Sequence, residues 1–136
     1  MSKRQLLAHL KNDIYCRIGV SDISGIGVIA IKPIPIGVNP FKNLSKEKQK
    51  IIHLEDKDLV GVDAKTRKVL GDFFGGAGGY DVLASGPNNL NISFYMNHSS
   101  TPNIGVFDTE DDGYMTFRTI RKIKTGEELT INYRHY

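Results

Sequence analysis

The sequence holds one cysteine, Cys16, and no tryptophan. A single thiol excludes an intrachain disulfide and any zinc cluster built from cysteines. Histidine is sparse as well. His9, His53, His98 and His135 are scattered, and none stands at ligand spacing from the cysteine, so no metal is expected. Neither sign of charge dominates, with 18 Lys and Arg against 15 Asp and Glu, a mild excess rather than the footprint of a dedicated nucleic-acid binder. No run of about 18 apolar residues suggests a membrane span. The opening MSKRQLLAHLKNDIYC is too polar for a secretory signal, so the protein reads as intracellular, in cytoplasm or nucleus, with no membrane partner. No Gly-x-Ser-x-Gly elbow is present, and Cys16 falls mid-strand, a poor place for an exposed nucleophile. Metal and acyl-enzyme chemistry both lack support.

What is present fits a single domain, 1–136, large enough to bury a core without staples. IYCRIGV alternates Ile14, Cys16, Ile18 and Val20 against Tyr15, Arg17 and Gly19, the period of a half-buried strand. SDISG turns the chain, and IGVIAI forms the second arm of a hairpin that Pro33, Pro35 and Gly37 end. A short third strand or extended segment is expected in IPIGVNPF. A helical insert, about 45–75, follows. Ser45 is placed to cap a helix through KEKQKIIHLE, and Asp63 one through AKTRKVLGDFF, with Val69, Leu70, Phe73 and Phe74 as its core-facing stripe. GGAGGY then reads as a flexible loop. The last third returns to strands: IGVFDT and YMTFRTI flank EDDG, a hairpin with Asp112-Gly113 at its turn, and TGEELTINY supplies one more turn and a final strand. No repeat or low-complexity tract stands out. The order of elements gives a β-rich α+β class.

Charge is uneven near the end. Arg118, Arg121, Lys122, Lys124 and Arg134 gather behind the acidic run Glu110, Asp111 and Asp112. Solvated faces and a hairpin tip explain this pattern; a basic rim attracting an acidic partner is the sharper alternative.

Three stretches remain. Gly25-Ile26-Gly27 precedes a strand rather than a helix, which excludes a dinucleotide fingerprint and leaves either a turn needing positive φ or a backbone bared to a ligand. FYMNHSSTPN and GEELTINY are each modest alone, as a polar turn and a turn plus edge strand. Together, in this order and with a hairpin between them, they are specific. The sequence resembles the SET-domain protein-lysine methyltransferases over about Ile14 to Tyr133. The resemblance implies the SET fold: several short β-sheets, the helical insert, and a C-terminal pseudoknot through which the last strand passes. It implies S-adenosyl-L-methionine as cofactor, with Asn97 and His98 along its adenosine, Gly25, Ile26 and Gly27 along its methionine end, and Tyr133 as the catalytic tyrosine. A protein or peptide lysine, on a histone among other candidates, would be the substrate, reaching the site through a channel lined by Tyr95, Ile131 and Tyr136.

The pattern departs from the family at Phe94, where an arginine is usual, at Ser100 for cysteine and at Asn132 for aspartate. Ile131 stands where a tyrosine restricts some relatives to fewer methyl transfers, which leaves room for di- or trimethylation. Three residues follow Tyr133, so the Gly-rich loop, Tyr136, or a second subunit or other partner is expected to complete the lysine channel. The rival reading is a non-catalytic peptide-binding module on the same fold.

Overall fold

The computed structural model describes residues 1–44, 50–76, 78–108 and 115–135. Sequence reading missed the first element, helix α1 (Lys3–Asn12), although its signal is present. Ser2 and Gln5 form a reciprocal capping box, Gln5 N donating to Ser2 Oγ and Ser2 N to Gln5 Oε1. Strands β1 (Cys16–Val20) and β2 (Ile26–Ala30) make the expected antiparallel hairpin, Cys16 facing Ala30 and Val20 facing Ile26. The expected buried face of β1 is only half realised: Ile18 and Val20 are exposed, because β1 is the outer strand of its sheet.

The insert differs most from expectation. Residues 51–54 form strand β3 (Ile51–Leu54), not helix; the proposed cap Ser45 lies outside the described residues. β3 pairs with β5 (Gly79–Leu83), and β5 with β4 (Gly75–Gly76). Gly75 and Gly76 are therefore paired with Tyr80 and Gly79, held by backbone hydrogen bonds that need no side chains. Between them, α2 (Ala64–Phe74) is capped by Asp63 as expected. Leu70 and Phe74 are buried, but Val69 and Phe73 stay partly exposed, so the apolar stripe is narrower than the sequence suggested.

Two clusters of buried apolar side chains result. One gathers Leu59, Leu70, Phe74, Val82 and Leu83 in the insert. The larger includes Val28, Ile34, Met96, Ile104, Leu129 and Ile131. The 3-10 turn Ile92–Tyr95 joins them, Phe94 lying against Phe74 while Tyr95 packs on the larger cluster.

Hairpin β7 (Ile104–Asp108) with β8 (Met115–Thr119) is present, its proposed Asp112-Gly113 turn lying outside the described residues. Strand β9 (Glu128–Ile131) runs antiparallel to β2 on one side and parallel to β6 (Asn97–His98) on the other. Ser99 N also donates to Ile131 O, and Asn103, 1% exposed, grips β9 through Nδ2 to Glu128 O and Oδ1 from Thr130 N. This crossing stands where the resemblance places a C-terminal pseudoknot. In place of a third strand in IPIGVNPF there is one antiparallel bridge, Ile34 to Ile123.

That bridge is the centre of a repeat the sequence did not show. Among the described residues, 16–38 and 104–108 with 115–127 form the same unit twice, two paired strands continued by a glycine-ended turn. Ile26 and Met115, Ala30 and Thr119, and Gly37 and Gly126 are each 89 residues apart. The units clasp each other through twin bonds: Ile34 N to Ile123 O and Ile123 N to Ile34 O; Gly37 N to Thr119 O and Gly126 N to Ala30 O; Ala30 N to Glu127 O and Thr119 N to Val38 O. Both glycines have φ above +80°, which residues with a Cβ rarely adopt.

Candidate active site

The site forms where the turn of the first unit meets the strand that continues the second. Turn 21–25 is built on Ser21, whose Oγ accepts from Ile23 N and Ser24 N while its own N–H donates to Gly25 O. Ser21 Oγ also donates to Glu128 Oε1 at 2.6 Å, fastening the turn to β9. Asn97 completes the junction. Its Nδ2 lies between 2.8 and 3.1 Å from Ser21 Oγ, Ser24 O, Ile26 O and Glu128 Oε2. Four acceptors around two protons decide the orientation of the amide. Asn97 Oδ1 consequently faces away, and no group among the described residues donates to it.

Gly27 has a packing reason of its own. A Cβ there would stand 2.6 Å from Glu128 Oε2 and 3.1 Å from Ser21 Cβ. The space kept clear at Gly27 is thus filled by the Glu128 carboxylate, while Gly25, at φ +53°, makes the turn.

Tyr133 lies two residues beyond the end of β9, in the 3-10 turn Tyr133–His135 rather than in the final strand. Its backbone N–H donates to His98 Nδ1 at 3.0 Å, which assigns that nitrogen as the unprotonated one, and the two rings lie 5.2 Å apart. Its hydroxyl donates to Met96 O at 2.7 Å. Met96, Asn97 and His98 are consecutive, so one short segment fixes the phenol, the amide and the imidazole together. Burial, and then the Glu128 charge, push the Tyr133 phenol above its ordinary value. It is neutral at physiological pH. With its proton committed to Met96 O, the oxygen offers lone pairs to an incoming donor.

The structure therefore brings together Gly25, Ile26, Gly27, Asn97, His98 and Tyr133, which come from three distant parts of the chain. Tyr95 is half-buried, its ring edge-on to Phe73 at 5.9 Å. Ile131 is 2% exposed within the larger core, and Tyr136 lies outside the described residues. Sequence reasoning missed Ser21 and Glu128. Their link spans 107 residues, and the one local hint was a glycine, Gly27, with no turn of its own to explain it.

The chemistry of the cluster is specific. The fixed charge wired into it is negative, Glu128; among the described residues no lysine or arginine is bonded to Ser21, Asn97 or Tyr133. Polar acceptors (Asn97 Oδ1 and the Tyr133 oxygen) stand beside exposed apolar surface at Ile26 and Tyr133. Such a cluster suits a cationic ligand with an apolar body.

Comparisons with known proteins identify the family and the fold. The family model described as SET domain matches residues 25–134. A candidate SET-domain-containing protein of Acanthamoeba polyphaga mimivirus is 60% identical over 38 residues, which are 28% of this chain and 14% of that protein. A SET and MYND domain-containing protein of Dictyostelium discoideum is 29% identical over 96 residues, 71% of this chain and 20% of that protein. The chain thus matches a fifth or less of the length of these curated relatives. Among solved structures, a candidate histone methyltransferase of Plasmodium falciparum superposes with a TM-score of 0.50 at 18% identity, covering 90% of this chain and 96% of that one.

Proposed function

The chain belongs to the SET-domain family, and on that premise we propose that it transfers methyl groups from S-adenosylmethionine to a lysine side chain of a protein. The observation that carries this reading is the Tyr133 hydroxyl, donated to Met96 O and held neutral one residue from the Asn97–Glu128 junction.

The residues fit the cofactor. Asn97 Oδ1 and the carbonyls of the 24–26 turn would accept from its ammonium, the backbone of Asn97 and His98 would line its adenosine, and Glu128 would oppose its positive charge. When bound, the cofactor supplies an activated methyl on a sulfonium, a good leaving group, so the protein's share is alignment and water exclusion. Alignment of this kind supplies on the order of 7–11 kcal/mol. The Tyr133 oxygen, with its proton spent on Met96 O, would accept from the substrate amine and so orient it. A raised phenol pKa makes Tyr133 a poor general base and a good orienting group. His98 sets where that oxygen stands, because its Nδ1 pins the Tyr133 backbone.

Tyr133→Phe tests the reading. Incubation with cofactor and candidate proteins, followed by mass spectrometry, should show methyl-lysine with the wild-type chain. The variant should lose on the order of 10²-fold in turnover while cofactor affinity by calorimetry hardly moves, the signature of an interaction made in the transition state. Cofactor binding with no methylation by either chain would instead favour a peptide-binding module on this fold.

A further inference from the structure

The clasp between the two units leaves a surface that the candidate site does not use. From Asp22 to Glu47, and again from Asp112 to Glu127, the intervening sequence has no acidic residue. These are the segments that meet at the Ile34–Ile123 bridge. The bridging isoleucines point inward, at 1% and 2% exposure. Antiparallel pairing alternates sides, so Pro33 and Pro35 on one turn, and Lys122 and Lys124 on the other, face out, and all four are exposed. Lys32 lies over the Tyr15 ring at 4.8 Å and Arg121 pairs with Glu127. Among the described residues, no carboxylate lies within ion-pair distance of Lys32, Lys122 or Lys124. The bond from Gly37 N to Thr119 O brings the backbones of Ile36 and Ile120 together at one end of the clasp, and the bond from Gly126 N to Ala30 O places Ile31 at the other end. These isoleucines are 61%, 44% and 44% exposed.

We propose that this clasp surface docks an acidic polypeptide segment that carries apolar side chains between its carboxylates. The sign of the charge sets the acidity of the partner. The interleaved isoleucines set its apolar content, since a bare polyphosphate backbone would leave them in water. Pro33 and Pro35 hold the surface rigid before binding, which lowers the ordering cost. β2 runs from the candidate site at Ile26 to the clasp at Ala30, about 13 Å at strand rise. A segment seated on the clasp would therefore be tethered beside the site without entering it.

Fluorescence anisotropy with the intact chain tests this directly. The probes are a labelled peptide of repeated Glu-Glu-Leu, a matched peptide of repeated Glu-Glu-Ser and a short DNA duplex. The leucine peptide should bind at least about tenfold more tightly than the serine peptide, and less tightly as salt rises. Lys122→Glu with Lys124→Glu should weaken it by tenfold or more, and Ile36→Ser with Ile120→Ser should abolish the preference for leucine over serine. Melting temperatures show whether each variant is folded, and the exposed lysines keep the test open should the isoleucine pair fail to fold. Equal binding of the two peptides, tighter binding of the duplex, indifference to the lysine reversals, or displacement of the peptide by self-association of the chain would each overturn the proposal.

Discussion

The two units, 16–38 and 104–127, share a backbone plan but not a set of side chains. At twin positions stand Tyr15 and Asn103, Gly27 and Thr116, Ala30 and Thr119, Pro35 and Lys124. Some differences are alternative answers to one problem. Lys124 N donates to Glu127 Oε1, whereas Pro35 has no N–H to satisfy. Val38 N is met by Thr119 Oγ1 rather than by the carbonyl of its own turn, while Glu127 N bonds to Lys124 O. Other differences build the candidate site. The second unit continues into β9 and carries Glu128 to the first unit's turn; the first continues into Asn39 and Pro40 and leaves the sheet. The repeat supplies a scaffold, and the site arises where its symmetry is broken.

The largest expected effect lies at the first twin pair. Asn103→Ala removes both partners of a buried stretch of β9, Glu128 O and Thr130 N, in a residue 1% exposed. Two buried backbone groups left unpaired should cost about 2–4 kcal/mol, read from urea unfolding midpoints. Tyr15→Phe, at the equivalent place in the first unit, removes a hydroxyl for which the described residues hold no partner and should shift stability by less than about 0.5 kcal/mol. Equal losses would mean that the two units are not distinguished by the crossing.

Next comes Gly27→Ala against Thr116→Ala. At Gly27 a methyl would stand 2.6 Å from the Glu128 carboxylate, which must then leave Ser21 or Asn97. A cost of about 1–3 kcal/mol follows, with a loss of cofactor affinity measurable by calorimetry. Thr116 needs no such clearance, and its truncation should leave both readouts nearly unchanged. Affinity that survives Gly27→Ala would dissociate the Glu128 junction from the ligand site.

How much of this was legible depended on distance along the chain. Asp63 and the helix behind it, the first hairpin, and the pair of motifs around Asn97 and Tyr133 are local patterns, and they were read. Residues 51–54 were not: Ile-Ile-His-Leu behind a lysine-rich stretch satisfies a helical period, and only pairing with β5 makes it a strand. The repeat was hidden because AIKPIPIG and TIRKIKTG share two isoleucines and a glycine, while the identity lies in backbone bonds. Ser21 with Glu128 was invisible for the same reason. A side chain that recognises a partner 107 residues away leaves no periodicity.

The smallest effect concerns Cys16, whose twin is Ile104. Burial in the first hairpin raises the Cys16 thiol from 9.0 to about 11. The folded chain therefore holds this proton more tightly than the unfolded chain does. The associated stability is fully present below pH 9 and is lost as pH rises from 9 toward 11. Cys16→Val gives the first unit an aliphatic residue there, like the second, and should remove that part of the alkaline loss. Tyr133, also raised, contributes a similar loss in both proteins, so the difference between their stability-versus-pH curves isolates the thiol. The same burial predicts slow alkylation near neutral pH, because thiolate is scarce. Iodoacetamide labelling of the folded chain should be much slower than of the urea-unfolded chain at pH 8. Labelling at equal rates, with superimposable pH curves for wild type and Cys16→Val, would show that the outer strand β1 opens freely. The first unit would then owe its order to the clasp and to Ser21 rather than to its own hairpin.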